Sequence, residues 1–188
     1  MEKKTVGIIG LNEYPRYTYE DYKNWEGKWE LIEGIPYAMS PSPGWKHQII
    51  SSKIAWQLEE LLKECKECKP LLPVDWKISE DTVVQPDNLV ICYEPEDKPY
   101  LTKAPSLIFE ILSKSTALKD REIKFKLYER EGVKYYIIVD PEDRIAKIYK
   151  LENGRYIKVC DATNEKVKFE LGECKFEFDF FLIFNIGY

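Results

Sequence analysis

Apolar positions change their period several times along the chain, and each change marks an element. In "HQIISSKIAWQLEELLKECKE", Ile50, Ile54, Leu58, Leu61 and Leu62 recur at helical spacing and predict the longest helix. Before it, "YTYEDYKNW" offers Thr18 as N-cap with Asp21 at the capping-box position, the start of a short helix after a loose N-terminal stretch. "WELIEGIPYAMS" reads as two short strands joined at Glu33-Gly34, an acidic-Gly turn, and "PSPGW" then breaks the chain. "LLPVDWKI" and "TVVQPDNLVICY" read as one strand each, the second bending or lying at a sheet edge near Pro86.

In "PSLIFEILS" the alternation disappears. Leu107 to Leu112 are apolar on both faces except at Glu110, which predicts a strand buried on both sides. "TALKDREIKFKLYEREG" predicts a second helix with Ile123 and Leu127 inward and Gly132 as its stop. "KYYIIVDP" is another doubly buried strand, and "RIAKIYKLENGRYIKVC" a hairpin turning at Asn153-Gly154. Further β-structure follows, then "FDFFLIF", an apolar segment that packs on the chain's own core or across a two-fold interface. Intermixed strands and helices predict an α/β or α+β fold, a sheet with helices on its faces. The strand of Glu110, the second helix and "YYIIVD" form a βαβ unit with parallel strands and a right-handed crossover.

Composition narrows this picture. At 188 residues the chain fits one domain, or a core with a modest appendage, and 44% apolar residues argue against disorder. No run approaches a membrane span, and "VGIIGL" is too short for a signal-peptide core, so the expected location is cytoplasmic. Five scattered cysteines fit reduced thiols better than a disulfide framework. "CKEC" (Cys65, Cys68) has the spacing of half a zinc site, but no second pair lies close in sequence and the only histidine is His47. Two thiols near a helix end are the expected reading. The net charge of −5 does not advertise a nucleic-acid binder. Residues 113–126 are locally basic, with Lys114, Lys119, Arg121, Lys124 and Lys126 against Asp120 and Glu122. That stretch serves equally as a solvated helix face or as a contact for a phosphate backbone.

Two carboxylates carry the candidate chemistry, Asp87 in "QPDNLVI" and Glu110 in "LIFEILS". If their strands pair, both share one face and can hold a single cation, for which oxygen donors favour Mg2+ or Mn2+ over zinc. The plainer account makes Asp87 a turn residue after Pro86 and gives Glu110 a basic partner. Asp120 and Lys124 share a helix face at i, i+4, as a surface ion pair or with Lys124 placed over the carboxylates, where an ammonium orients water or stabilises a phosphorane.

Together, "WELIEGIPYAMSPSPGWKH", "VQPDNLVI" and "PSLIFEILSKSTALKDREIKFKLYEREGVKYYIIVDP" resemble the putative restriction endonuclease family, once a domain of unknown function, within the PD-(D/E)XK nuclease-like superfamily. The likeness runs from about Tyr17 to about Tyr149. It implies a single restriction-endonuclease-like domain over 1–188, with a core at about 17–150 and a C-terminal β and apolar extension at 151–188. It also implies an α-β-β-β-α-β order, a mixed central sheet, and Mg2+-dependent (or Mn2+-dependent) hydrolysis of DNA phosphodiesters, with a homodimer as a common assembly. By position, Asp87 matches the Asp of the motif and Glu110 its (D/E). The motif lysine falls at position 112, which is Leu, and the resemblance moves that role to Lys124 on the following helix. His47 and Glu33 match accessory or metal-shell positions, and Asp120 is expected to hold Lys124. Leu112 and the acidic charge leave a second reading open, a catalytically inactive nuclease-fold module that binds nucleic acid or protein. A third makes Glu110 and Lys124 a structural ion pair inside an interaction domain.

Overall fold

The computed structural model describes residues 15–39, 43–113 and 119–185, without the side chains of Lys119 and Asp120. The N-terminal stretch with "VGIIGL", Pro41 and Ser42 of the chain break, Lys114 and the opening of the second helix lie outside the described residues.

Period-two alternation sets which residues of the central strands face which layer. β7 (Leu107–Ile111) sends Leu107, Phe109 and Ile111 to one core cluster and Ile108 to the other, so Glu110 shares the face of Ile108. It runs parallel to β8 (Tyr135–Asp140) and antiparallel to β6 (Asn88–Ile91). β3 (Lys69–Leu71), β9 (Ile145–Glu152) and β10 (Arg155–Ala162) complete a six-stranded sheet in the order β10-β9-β8-β7-β6-β3. A second sheet, β2-β1-β5-β4, is built from β1 (Trp29–Ile32), β2 (Ile35–Ala38), β4 (Trp76–Ser79) and β5 (Thr82–Val84).

Two helical layers cover the large sheet. α2 (Trp45–Leu62) lays Ile50, Ile54, Leu58 and Leu62 on one face, together with the hairpin of β11 (Lys166–Leu171) and β12 (Cys174–Asp179) and the short α4 (Phe180–Phe184). The opposite face carries α3 (Lys124–Arg130), which follows a π-helical turn at Lys119–Ile123. α1 (Tyr19–Tyr22) starts as expected, with Thr18 N donating to Asp21 Oδ2 at 2.8 Å. Through the large sheet the chain runs α2-β3-β6-β7-α3-β8, the α-β-β-β-α-β order, and the fold is α+β with a mixed central sheet flanked by helices.

Both hairpin turns lie where the sequence places them. Glu33 and Gly34 take φ of 52° and 77°, Asn153 and Gly154 take 51° and 76°, the positive-φ pairs that a two-residue turn requires. The terminal apolar segment packs on the chain's own core: Phe180, Ile183 and Phe184 are buried, while Phe181 and Leu182 remain exposed. No described helix is long and apolar enough to cross a membrane.

Three expectations are corrected. "LLPVDWKI" is two strands, β3 and β4, in different sheets. "TVVQPDNLVICY" likewise splits into β5 and β6 at Gln85-Pro86-Asp87, because proline has no N–H for the ladder and turns the chain from one sheet to the other. Around α3, Leu127 is buried and Ile123 packs part-buried on the same cluster, as expected, and Lys124 and Tyr128 join them on that face. The cysteines also differ from the scattered thiols expected: Cys65 is bridged to Cys174 and Cys68 to Cys92, leaving Cys160 free. These partners are far apart in sequence and meet only through sheet assembly.

Candidate active site

Glu110 faces α3. Its Oε1 accepts hydrogen bonds from Lys124 Nζ and from the Tyr128 hydroxyl, both at 2.7 Å. Lys124 and Tyr128 are four residues apart on one helix, so a single turn delivers both groups to one carboxylate oxygen. The same ammonium lies 2.7 Å from Oε1 of Glu30, which also accepts from the Gln85 amide at 2.9 Å. Glu30 alternates with Leu31 on β1 and shares the inward parity of Ile32, which reaches the core beneath α3. Tyr128 is held by Trp76, stacked at 5.9 Å, and by Tyr136, edge-on at 5.1 Å.

Exposure makes this arrangement consequential. Glu30 is 0% exposed, Lys124 2% and Glu110 3%. Charges this deep persist only when paired and hydrogen-bonded. The apolar neighbours Leu107, Ile108, Phe109 and Ile111, each worth roughly 1.5–3 kcal/mol on burial, offset the several kcal/mol that such a group costs. Among the described residues, one ammonium is thus shared between two buried carboxylates.

Asp87 completes the arrangement. The β6–β7 register pairs Asn88 with Phe109, and Asp87, in the bend just before β6, lies one step beyond that pair, level with Glu110 at the end of the ladder. Its Oδ2 accepts from the Ile111 amide at 2.8 Å, the residue after Glu110, and lies 3.2 Å from His47 Nε2. His47 is the third residue of α2, and its Nδ1 is buried without a hydrogen-bond partner, as is Oδ1 of Asn88. Orphaned polar atoms beside a carboxylate mark a place where water or an ion is wanted. Asp87 and Glu110 offer carboxylate oxygens, the donor type that hard divalent cations such as Mg2+ take, while among the described residues no three His, Asp or Glu ligand atoms gather within 4.8 Å of one another.

The remaining candidates sit differently. Glu33 lies on the β1–β2 turn, exposed, in an ion pair with Arg130 at 3.0 Å. It lines a groove of about 700 Å³ with Lys126, Leu127 and Arg130, to which Lys124 and Tyr128 do not contribute. Glu30, not singled out from sequence, takes the place among the buried carboxylates. Its signal was an acidic residue inside "WELI" at the inward parity. The side chain of Asp120 is not among those described, and the observed carboxylate partners of Lys124 are Glu30 and Glu110. Of the basic stretch, Arg121 pairs with Asp140 at 2.9 Å.

Behind Glu30, Asp75 accepts from Gln85 Nε2 at 3.0 Å and lies 3.1 Å from the Tyr22 hydroxyl. Burial pushes its carboxyl above the ordinary 3.8, these hydrogen bonds oppose the shift, and the Glu30 charge adds to it. A folded-state value above the unfolded one means that the folded chain holds this proton to higher pH. Asp75 therefore contributes a stability that falls as pH rises through that window. Asp75→Asn is expected to remove this falling contribution, so that stability rises more steeply with pH just above 3.8 than in the wild type, measured by urea unfolding across pH.

The fold so assembled has a solved counterpart. The crystal structure of a putative nuclease belonging to DUF820 from Anabaena variabilis superposes with a TM-score of 0.73 at 16% identity, covering 89% of this chain and 97% of that one. At that identity the likeness concerns the fold. A DrdV–DNA complex seen by cryo-electron microscopy aligns at a TM-score of 0.30 and 17% identity, over 62% of this chain and 12% of that one, too weakly to bear on it. No curated protein matches significantly by sequence. The model of the Uma2 family, putative restriction endonucleases, matches residues 12–172, most of the chain, and the protein belongs to that family.

Proposed function

We propose that this protein is a Mg2+-dependent endonuclease that hydrolyses DNA phosphodiester bonds, with Mn2+ as an alternative ion. The carrying observation is that Asp87 lies level with Glu110 at the end of the β6–β7 ladder, with Lys124 bonded to Glu110. Asp87 and Glu110 would hold the ion, which when bound polarises the scissile phosphate and lowers the pKa of the attacking water. Lys124, gripped by Glu30 and Glu110, offers a fixed positive charge for the developing phosphorane. Tyr128 fixes the orientation of Glu110, and His47 that of Asp87. The basic residues around α3 would track the DNA backbone.

Supercoiled plasmid incubated with the protein and Mg2+ or Mn2+ is expected to be nicked or linearised, with EDTA and Glu110→Gln each abolishing cleavage. Cleavage that survives Glu110→Gln at full rate would remove the site assignment. A second reading, a nuclease fold that binds without cutting, is favoured by Leu112 at the motif-lysine position and by the near-complete burial of Lys124. It predicts no heat of Mg2+ binding in a calorimetric titration and no cleavage with either ion.

A further inference from the structure

The cysteines that look scattered along the chain converge in space. Cys65 and Cys68 follow the C-terminus of α2, Cys92 follows β6, and Cys174 opens β12. The β3–β6 register pairs Lys69 with Ile91, and one step further sets Cys68 opposite Cys92. The β11–β12 turn brings Cys174 to Cys65, with Cα atoms 5.9 Å apart. The sulfurs of Cys65, Cys68 and Cys174 all lie within 4.8 Å of one another, and Cys92 is joined to Cys68. The two bridges thus lie side by side, three of their sulfurs grouped and the fourth bonded to one of these, and four cysteines can be paired in three ways.

A disulfide framework that ties separate loops needs no contact between its bridges, whereas a metal centre does. Four thiolates at about 2.3 Å from one tetrahedral Zn2+ stand roughly 3.8 Å from each other; the sulfurs of Cys65, Cys68 and Cys174 already meet that spread, and Cys92, bonded to Cys68, is the fourth that would turn inward once its bridge is reduced. The C-x-x-C spacing after α2 is that of a zinc half-site, and the sheet supplies the second half from Cys92 and Cys174. β3, the three-residue edge strand, is the element such a centre would secure.

We propose that Cys65, Cys68, Cys92 and Cys174 form a four-thiolate Zn2+ site in the reduced chain, clamping the end of α2 to the sheet edge and to the β11–β12 hairpin. Each bridge takes up two electrons and two protons to become two thiols, either from two reductant thiols that leave as a disulfide or from a phosphine and water that leave as the phosphine oxide. The four thiols then release their protons as thiolates bind Zn2+, whose oxidation state does not change. Ligand softness keeps this site distinct from the carboxylate cleft, since thiolates select zinc and carboxylates select Mg2+.

The test uses the full chain, purified anaerobically under a phosphine reductant. Elemental analysis is expected to find about one zinc per chain, and Co2+ titration to give an intense thiolate-to-cobalt charge-transfer band that added Zn2+ bleaches. Cys92→Ser and Cys174→Ser should each weaken Co2+ binding by more than the roughly 10–100-fold that loss of an outer-shell partner costs. Cys160→Ser should leave the band unchanged. Independently of any variant's folding, wild-type protein denatured with iodoacetamide straight from reductant-free anaerobic lysate should take up five alkyl groups, one on each cysteine. Uptake of one, at Cys160 alone, overturns the proposal, as does the absence of a thiolate-to-cobalt band or the recovery of iron in place of zinc.

Discussion

Replacing Lys124 by methionine is expected to lower the folding free energy by about 3–5 kcal/mol, the usual cost of removing one partner from a buried ionic cluster. Among the described residues, the ammonium is a charged donor shared at 2.7 Å by Glu30 and Glu110, and both carboxylates are closed to solvent. Without it, both buried carboxylates lose the ammonium that they share across the gap between the sheets. Methionine nearly conserves the volume, so the loss reports charge rather than a cavity. Urea unfolding measures it. The triple variant Glu30→Gln/Glu110→Gln/Lys124→Met should regain most of the lost stability, because it removes the uncompensated charges together. A single-variant loss below about 1 kcal/mol, the scale of an exposed pair, would show that the cluster is not closed as described.

Asp87→Asn should do the opposite: little to stability and much to activity. The amide oxygen of asparagine can still accept from the Ile111 amide, so urea unfolding should move by less than about 1 kcal/mol. What disappears is a negative charge level with Glu110. Metal-dependent plasmid cleavage should fall on the order of 10²–10³-fold, as when one preorganised electrostatic group is lost from an active site. Mg2+ binding measured by calorimetry should weaken in parallel. Unchanged cleavage would place the metal away from Asp87. Comparing the two variants separates the ammonium that holds the cluster from the carboxylate that completes it.

Glu110 and Asp87 were legible because each violates a local pattern. Glu110 interrupts a run apolar on both faces, and Asp87 follows the proline that ends one strand and precedes the next. Their neighbouring positions follow from the pairing of β6 with β7, which ends at Asn88 and Phe109. Lys124 was legible from its motif, whereas Tyr128, four residues on along the same helix, was not singled out. Glu30 was not singled out, because its partner lies on a helix more than ninety residues later and its strand belongs to the other sheet. Glu33 matched a motif position, yet the turn that it forms puts its side chain against Arg130 rather than in the cluster.

The elements themselves, the two hairpin turns, the doubly buried strands and the anomaly at Glu110 were determined by the sequence. Period, turn chemistry and the cost of burying charge are local properties that a few neighbouring residues express. Only the tertiary structure decided that one ammonium sits between Glu30 and Glu110, and that Asp87 stands level with Glu110 beside His47. It also decided that four distant cysteines share one corner of the sheet. Each of these contacts depends on which strand lies beside which, and strand order is settled by the packing of whole layers rather than by any pattern within one segment.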